Sequence, residues 1–216
     1  MKKIAIILSG CGVFDGSEIH EAVCTLLAID LANAQYACFA PNISQSRVVN
    51  HLTQENKNET RNVLEESARI ARGKIRDIRE AILSDCDAAI YPGGHGAALH
   101  LCDFGKNGAE MSINADVLHF AQAMKNAGKP QGFICIAPAL ISKIYGAGVE
   151  QTIGNDKVTA EKLEKMGAKH IHCAVTHAIV DRKNKVVSTP AYMLANRISE
   201  VFSGVNALVE NVLQMC

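Results

Sequence analysis

The sequence has no tryptophan, only five prolines and no excess charge of either sign, because 22 Lys and Arg residues balance 22 Asp and Glu residues. Binding to nucleic acid or to an anionic membrane surface favours a basic excess, so neither partner is predicted. None of the eight cysteines forms a Cys-x-x-Cys pair, which argues against a zinc ribbon or a redox dithiol. A small neutral molecule is the more compatible partner.

Long apolar segments are also missing near the amino terminus. The first apolar run, residues 3–8, ends at Ser9 and Gly10, which is too short for a signal peptide or a membrane span. We therefore expect no membrane partner. The scattered cysteines suit a reducing compartment, and a cytoplasmic location is expected.

Short apolar runs that alternate with helical patterns dominate the first three quarters of the chain. This alternation predicts an α/β fold, a mostly parallel sheet with helices on both faces. With 216 residues, 48% of them hydrophobic, we expect a single domain over residues 1–216. Strands are predicted near residues 3–8, 36–40, 87–91, 131–135 and 149–153. Helices are predicted near residues 17–33, 59–72, 75–84, 114–127, 137–145 and 157–166.

The pattern changes after residue 170. Two β-rich runs, Ile171–Asp181 and Val186–Thr189, flank the polar residues 182–185 and predict a C-terminal β-hairpin. Apolar residues then recur near every 3.6 positions over Asn196–Leu213, as in an amphipathic helix. The polar stretch Thr53–Arg61 offers almost nothing to bury and is expected to be an exposed, mobile loop.

The segment Gly132–Pro138 is the strongest candidate for chemistry. It is an apolar strand that ends in Cys135 and opens directly into a helical pattern, which is typical of a nucleophile elbow. The amides and dipole of the following helix would stabilise a thiolate, so a lowered pKa is expected for Cys135. A buried structural cysteine at a strand end is the alternative.

A second strand ends in a glycine-rich turn at Pro92, Gly93 and Gly94. Adjacent parallel strands would place this turn beside Cys135 at the carboxyl edge of the sheet, where ligands bind in open α/β folds. The amides of Gly94 and Ile136 would then form an oxyanion hole for a carbonyl attacked by Cys135. By itself, such a turn is most often only a turn.

Three motifs together resemble the ThiJ/PfpI superfamily, which has a class I glutamine amidotransferase-like fold. They are Ile6–Ala22, Tyr91–Ala97 and Cys135–Ala139, and they look most like the ElbB branch, the enhancing lycopene biosynthesis proteins. The resemblance implies a flavodoxin-like three-layer sandwich, a homodimer and a cofactor-free glyoxalase-type activity on small aldehydes. The link to isoprenoid biosynthesis would be an indirect metabolic effect.

An acid or base is needed beside the thiol, and Glu18 and Glu21 open the first helix. In the superfamily a glutamate of this helix reaches the nucleophile, and the resemblance favours Glu21, with Glu18 as its rival. Acidic residues are also common in a first helical turn for their interaction with the dipole alone. A carboxyl group buried against Cys135 would tend to stay protonated.

No histidine of the sequence completes a catalytic triad of cysteine, histidine and acid. PfpI-type proteins carry a histidine directly after the nucleophile, where this chain has Ile136, and no histidine begins a His-x-Glu pair of the glutaminase kind. His95 and His177 are the remaining candidates for substrate binding. His170 and His172 alternate on a strand without clustered carboxylates, so no metal site is predicted.

These observations lead to one functional prediction with an alternative. Cys135 would attack glyoxal or a related small dicarbonyl, and Glu21 would move the proton that converts the hemithioacetal to a thioester and finally to glycolate. The predicted activity is that of a lyase-type glyoxalase without metal, glutathione or another cofactor, and the resemblance implies that the same chemistry would also reverse early glycation of proteins or nucleotides. The alternative is an oxidative-stress sensor or chaperone-like protein in which Cys135 is oxidised without turnover.

Overall fold

The computed structural model describes residues 1–216 and is built on a seven-stranded sheet. The strands of the sheet are β1 (Lys3–Ile7), β2 (Gln35–Ala40), β3 (Ile75–Asp77), β4 (Ala88–Tyr91), β5 (Gln131–Ile134), β8 (Ile179–Asp181) and β9 (Val186–Thr189). Two further strands, β6 (Glu150–Gln151) and β7 (Lys169–His170), form a separate two-stranded sheet. Along the main sheet the order is β3-β2-β1-β4-β5-β9-β8, and all neighbours are parallel except β8 and β9.

Helices cover both faces of the sheet. The helices are α1 (Ile19–Leu31), α2 (Val63–Ile70), α3 (Phe104–Asn107), α4 (Ala115–Asn126), α5 (Ile141–Tyr145), α6 (Lys157–Lys165) and α7 (Ile198–Gln214). Successive strand residues point to opposite faces, and β1 shows this: Ile4 and Ile6 join the core under α1 and α7, while Ala5 and Ile7 join the core under α4 and α5. The predicted α/β three-layer class is confirmed. None of the helices is long and apolar enough to cross a bilayer.

One predicted element is wrong, and a second forms a strand, β6, outside the predicted sheet. Residues 75–84 are not a helix, because Ile75–Asp77 pairs with β2 as an edge strand. The Asp77 side chain then accepts a hydrogen bond from the Arg79 amide, which caps a single 3-10 turn, Ile78–Glu80. Residues 149–153 are not a strand of the main sheet, because β9 occupies the place beside β5.

The C-terminal hairpin forms, but it is shorter than predicted. Ile179–Asp181 pairs antiparallel with Val186–Thr189, whereas residues 171–178 form no strand. Two short helical segments, a π-helical turn at Ala97–Leu101 and α3, were not predicted at all. Residues 53–60 are exposed, as expected for that loop.

Candidate active site at the cysteine elbow

Cys135 lies in a strained turn at the carboxyl end of β5. Its φ angle is 62°, in the left-handed region that non-glycine residues seldom adopt, at a cost of roughly 1–3 kcal/mol. The Cys135 amide donates to the carbonyl of Thr189 (2.9 Å), which fixes the backbone against the end of β9. A 3-10 turn, Ala137–Leu140, follows and continues into α5. The backbone therefore has the geometry of a nucleophile elbow.

Two backbone amides face the sulfur of this cysteine. The N–H groups of Gly94, in the turn after β4, and of Ile136, the next residue, lie close enough to the Cys135 sulfur to act on the thiol and lower its pKa. Both were predicted as oxyanion donors, and the structure brings both to the same atom. If the sulfur were bonded to a carbonyl carbon, the oxygen on that carbon would lie beside the same two N–H donors.

Gly93 makes this close approach possible. A Cβ atom at position 93 would lie 2.5 Å from the Cβ of Cys135 and 2.7 Å from Oε2 of Glu21. Gly94 is required for its backbone as well, since its φ is +90° and an added Cβ would meet the Glu18 amide at 2.4 Å. The two glycines therefore let the β4 turn, α1 and the elbow meet without intervening side chains.

Glu21 is the acid that reaches the thiol. Its side chain is fully buried, and its two carboxyl oxygens accept from the amides of Gly93 (3.0 Å) and Tyr192 (3.2 Å). It also lies beside the side chain of Cys135. Burial, followed by the negative charge of Glu18, raises the pKa of Glu21 to about 8. The carboxyl group is therefore mostly protonated at neutral pH.

Glu18, the other candidate acid, occupies a different position from Glu21. Glu18 is the N-cap of α1, and its Oε2 accepts from the Glu21 amide (2.7 Å). It thus satisfies a free N–H of the helix start and orients the turn that carries Glu21. Of the two glutamates, the structure puts Glu21 against the thiol.

The expected lowering of the Cys135 pKa is wrong. Burial, and then the charge of Glu21, raise the pKa of the Cys135 thiol well above its ordinary value, although the Gly94 and Ile136 amides act in the opposite direction. Desolvation in a site with no cation beside the sulfur outweighs the helix amides. The first proton lost from this site is therefore shared between the carboxyl group and the thiol, and a second negative charge is strongly opposed.

The two candidate histidines lie apart from the sulfur. His95 is exposed at the mouth of the site, where its Nδ1 lies 2.7 Å from Nη2 of Arg47. His177 is also exposed, and its ring contacts only the hydroxyl of Thr176 (3.1 Å). Neither ring hydrogen-bonds Cys135 or Glu21, and no group of three or more His, Cys, Asp or Glu side chains suited to a metal ion is present.

Sequence reasoning missed two contributors. The Tyr192 amide, which holds Glu21, follows Ala191, whose φ is 42°, and the phenol of Tyr192 lies 2.7 Å from Nδ1 of His20. Arg47 comes from the long loop between β2 and α2. No motif marks either residue, because both reach the site through loop geometry and not through spacing along the chain.

The sheet order, the cysteine elbow and the acid from α1 define a class: a flavodoxin-like α/β protein with a buried cysteine at an elbow and a buried acid beside it. Solved structures agree. The chain matches glyoxalase III from Candida albicans with a TM-score of 0.61 over 99% of this chain and 95% of that one. It matches a DJ-1 superfamily protein from Salmonella typhimurium with a TM-score of 0.59, over 99% and 91% of the two chains. Identities of 12% and 18% make these likenesses of fold alone.

Proteins with higher sequence identity to this chain identify a narrower family. The chain is 43% identical to human glutamine amidotransferase-like class 1 domain-containing protein 3, over 99% of this chain and 83% of that protein, and 32% identical to the zebrafish ES1 protein, over 98% and 85%. It is 35% identical to an isoprenoid biosynthesis protein with an amidotransferase-like domain from Ehrlichia chaffeensis, with a TM-score of 0.92, over 99% and 100%. No family model matches the chain. The chain therefore belongs to the class I glutamine amidotransferase-like family that includes the ES1 proteins.

This comparison corrects one prediction. The human, rat and zebrafish relatives all carry the designation mitochondrial. The expected cytoplasmic location is contradicted by that finding. Scattered cysteines indicate a reducing environment at most, and they do not distinguish between reducing compartments.

Proposed function

We propose that the protein is a glutathione-independent, cofactor-free glyoxalase of the ElbB type, a lyase that converts glyoxal to glycolate. One observation carries the proposal: a buried thiol, a carboxyl group that keeps its proton and two backbone N–H donors converge on one point. The superfamily fold is shared with glyoxalase III. The Ehrlichia isoprenoid biosynthesis protein, at 35% identity, favours the ElbB branch.

At neutral pH Cys135 and Glu21 hold two protons, and the first step starts from the minor form that has lost one of them and consists of a Cys135 thiolate beside a protonated Glu21. The Cys135 thiolate adds to one aldehyde carbon of glyoxal, while Glu21 gives its proton to the new alkoxide. The N–H groups of Gly94 and Ile136 stabilise the developing negative charge. The product is a hemithioacetal on Cys135, and Glu21 is left as a carboxylate.

The next steps move hydrogen between the two carbons. Glu21 takes the C–H proton of the hemithioacetal, giving an enediolate, and returns this proton to the neighbouring carbon. The hydroxyl proton passes from the first oxygen to the second in the same step, which leaves a thioester of glycolate. The carbon bonded to the Cys135 sulfur has been oxidised and the neighbouring carbon has been reduced, so no external oxidant or reductant is needed. Water then cleaves the thioester while Glu21 accepts its proton, which releases glycolate and restores the thiolate and the protonated acid.

The test is glycolate production from glyoxal by the purified protein without glutathione or added metal. Cys135→Ala and Glu21→Gln should both abolish turnover. Cys86→Ala and Glu66→Gln, which change another buried cysteine and another buried glutamate, should not. Absence of glycolate with the unmodified protein would sink the proposal. Loss in Cys135→Ala alone would remove Glu21 from the acid–base role.

A second function is favoured by the position of a protonated acid beside the thiol. A carboxyl group that keeps its proton can hydrogen-bond a sulfinate, so an oxidation sensor at Cys135 is the competing candidate. Treatment with hydrogen peroxide and mass spectrometry of the Cys135 peptide tests it. Two added oxygen atoms on Cys135 in the unmodified protein, and fewer in Glu21→Gln, together with no glycolate formation, would establish the sensor in place of the enzyme.

A further inference from the structure

A cavity of about 300 Å³ opens beside the elbow. Ile136, whose amide faces the Cys135 sulfur, is part of its wall, and His95 from the turn after β4 is another part. The remaining wall is Arg47, Ala98, Leu99, Phe104, Gly105 and Lys162. The cavity therefore adjoins the two segments that carry the oxyanion donors, and it is the space available to the part of a substrate that extends away from the reacting carbon.

The wall of this cavity carries two cations and no carboxylate. Arg47 and Lys162 both line it, and neither forms an ion pair with an acidic side chain. This arrangement departs from the neutral partner expected from overall composition, since the net charge of a chain does not report the local charge of a pocket.

Arg47 is held in position by the protein itself. Its Nε and Nη2 donate to the Phe14 carbonyl at 3.1 and 2.6 Å, and Nη2 also lies 2.7 Å from Nδ1 of His95. Partial desolvation of the ring and the charge of Arg47 lower the pKa of His95, so the ring is neutral and Nδ1 accepts from Arg47. Nη1 has no partner in the protein. A fixed guanidinium with a free edge is suited to a carboxylate or phosphate oxygen.

We infer that the substrate is an α-oxoaldehyde whose far end carries an anionic group, a carboxylate or a phosphate monoester, bound between Arg47 and Lys162 while the aldehyde meets Cys135. The inference rests on the proposed function and specifies its substrate class. The reaction is unchanged: the aldehyde carbon becomes a carboxylate, the adjacent ketone carbon becomes a hydroxyl-bearing carbon, and one water is consumed. The apolar part of the wall, Ala98, Leu99 and Phe104, would contact the short chain between the two ends.

The first experiment compares matched substrates. Dioxovalerate, which ends in a carboxylate, and propylglyoxal, its neutral counterpart of equal length, differ only at the far end. Phosphohydroxypyruvaldehyde supplies the phosphate arm. We expect kcat/KM for at least one anionic substrate to exceed that for propylglyoxal by roughly 25-fold, about fivefold for each exposed cation. Added salt should reduce this advantage.

Four variants assign the effect to residues. Arg47→Gln and Lys162→Gln should each raise the KM of the anionic substrate, relative to the KM of propylglyoxal in the same variant, about fivefold. Arg47→Lys should restore most of the loss, because it keeps the charge. Lys165→Gln is the matched control, since Lys165 is exposed on the same helix as Lys162 but does not line the cavity. Equal use of dioxovalerate and propylglyoxal, with no effect of either Gln variant, would overturn the inference and leave the glyoxalase proposal standing.

A second readout does not require turnover. The rate of Cys135 alkylation by iodoacetate is compared with that by iodoacetamide, which has a similar size and no charge. We expect the iodoacetate-to-iodoacetamide ratio to fall about fivefold in Arg47→Gln and in Lys162→Gln, and to stay constant in Lys165→Gln. If no α-oxoaldehyde is consumed, the proposed function fails. The iodoacetate-to-iodoacetamide ratio still shows whether the cavity lined by Arg47 and Lys162 selects anions. A ratio that is the same in all variants refutes the selection.

Discussion

Replacing Glu21 by Gln should raise the stability of the protein near pH 8, and the difference from the unmodified protein should grow with pH. The folded-state pKa of Glu21 is about 8, against about 4.3 for a glutamate in an unfolded chain. Between these values the folded state binds more protons at this residue than the unfolded state does. Stability therefore falls as pH rises through this window.

The magnitude follows from that difference. Each pH unit inside the window costs at most about 1.4 kcal/mol of unfolding free energy. From about pH 5 to about pH 8 the loss attributable to Glu21 is about 3–4 kcal/mol. A glutamine has nearly the same shape and stays neutral. Its carbonyl oxygen can accept from Gly93, but its NH2 group leaves the Tyr192 amide without an acceptor, which costs about 1 kcal/mol at every pH. Relative to the unmodified protein, the Glu21→Gln variant should therefore be about 1 kcal/mol less stable near pH 5 and about 2–3 kcal/mol more stable near pH 8.

Urea unfolding across this pH range measures the effect. Protein concentration is held fixed, because any self-association would change the apparent stability, and a reductant keeps the cysteines as thiols. Glu161→Gln, which changes an exposed glutamate on α6, is the control and should leave the pH profile unchanged. Parallel profiles for Glu21→Gln and the unmodified protein would refute a protonated, buried acid at this site.

Three further predictions concern how the site is built. Gly93→Ala should abolish turnover and cost about 2–3 kcal/mol of stability in urea unfolding, because the added Cβ would overlap Cys135 and Glu21. The control Gly73→Ala, at a position with φ of +78° and open space around it, should cost only about 1 kcal/mol in the same assay. Cys135→Gly should be more stable than Cys135→Ala by about 1 kcal/mol, since glycine accepts the φ of 62°; the reverse order would contradict the strain at the elbow. Tyr91→Phe should cost about 1–3 kcal/mol in thermal or urea unfolding, because the Tyr91 hydroxyl donates to Oε1 of the buried Gln131 at 2.8 Å; an unchanged midpoint would show that the hydrogen bond contributes nothing net.

The sequence was most informative where a local pattern determines the structure. The apolar runs of β1, β4 and β5 predicted the central strands, because a strand buried on both faces leaves a continuous hydrophobic signal. Cys135, Gly94 and Ile136 were predicted to meet, since the turns after neighbouring parallel strands share one sheet edge. The choice of Glu21 over Glu18 came from family resemblance, and the structure supplies its geometric reason.

The remaining features depend on contacts that no local pattern contains. Residues 75–84 have helical composition, yet pairing of Ile75–Asp77 with the edge of β2 decides their structure, an example of tertiary context overriding propensity. The direction of the Cys135 pKa shift depends on full burial beside Glu21, which the heptapeptide does not reveal. Arg47 reaches the cavity through a long loop whose path the sequence does not specify.

The two amides that hold Glu21 have a consequence for folding. They belong to Gly93 and Tyr192, which lie 72 and 171 residues away along the chain. Such contacts have very high sequence separation, and their loop-closure cost must be met before they form. The pairing of Glu21 with Cys135 is therefore expected among the last native contacts to appear during refolding. Recovery of the shifted Glu21 titration would report completion of the fold more strictly than recovery of helical circular dichroism, since helices such as α1 and α7 can form from local contacts long before the chain ends meet.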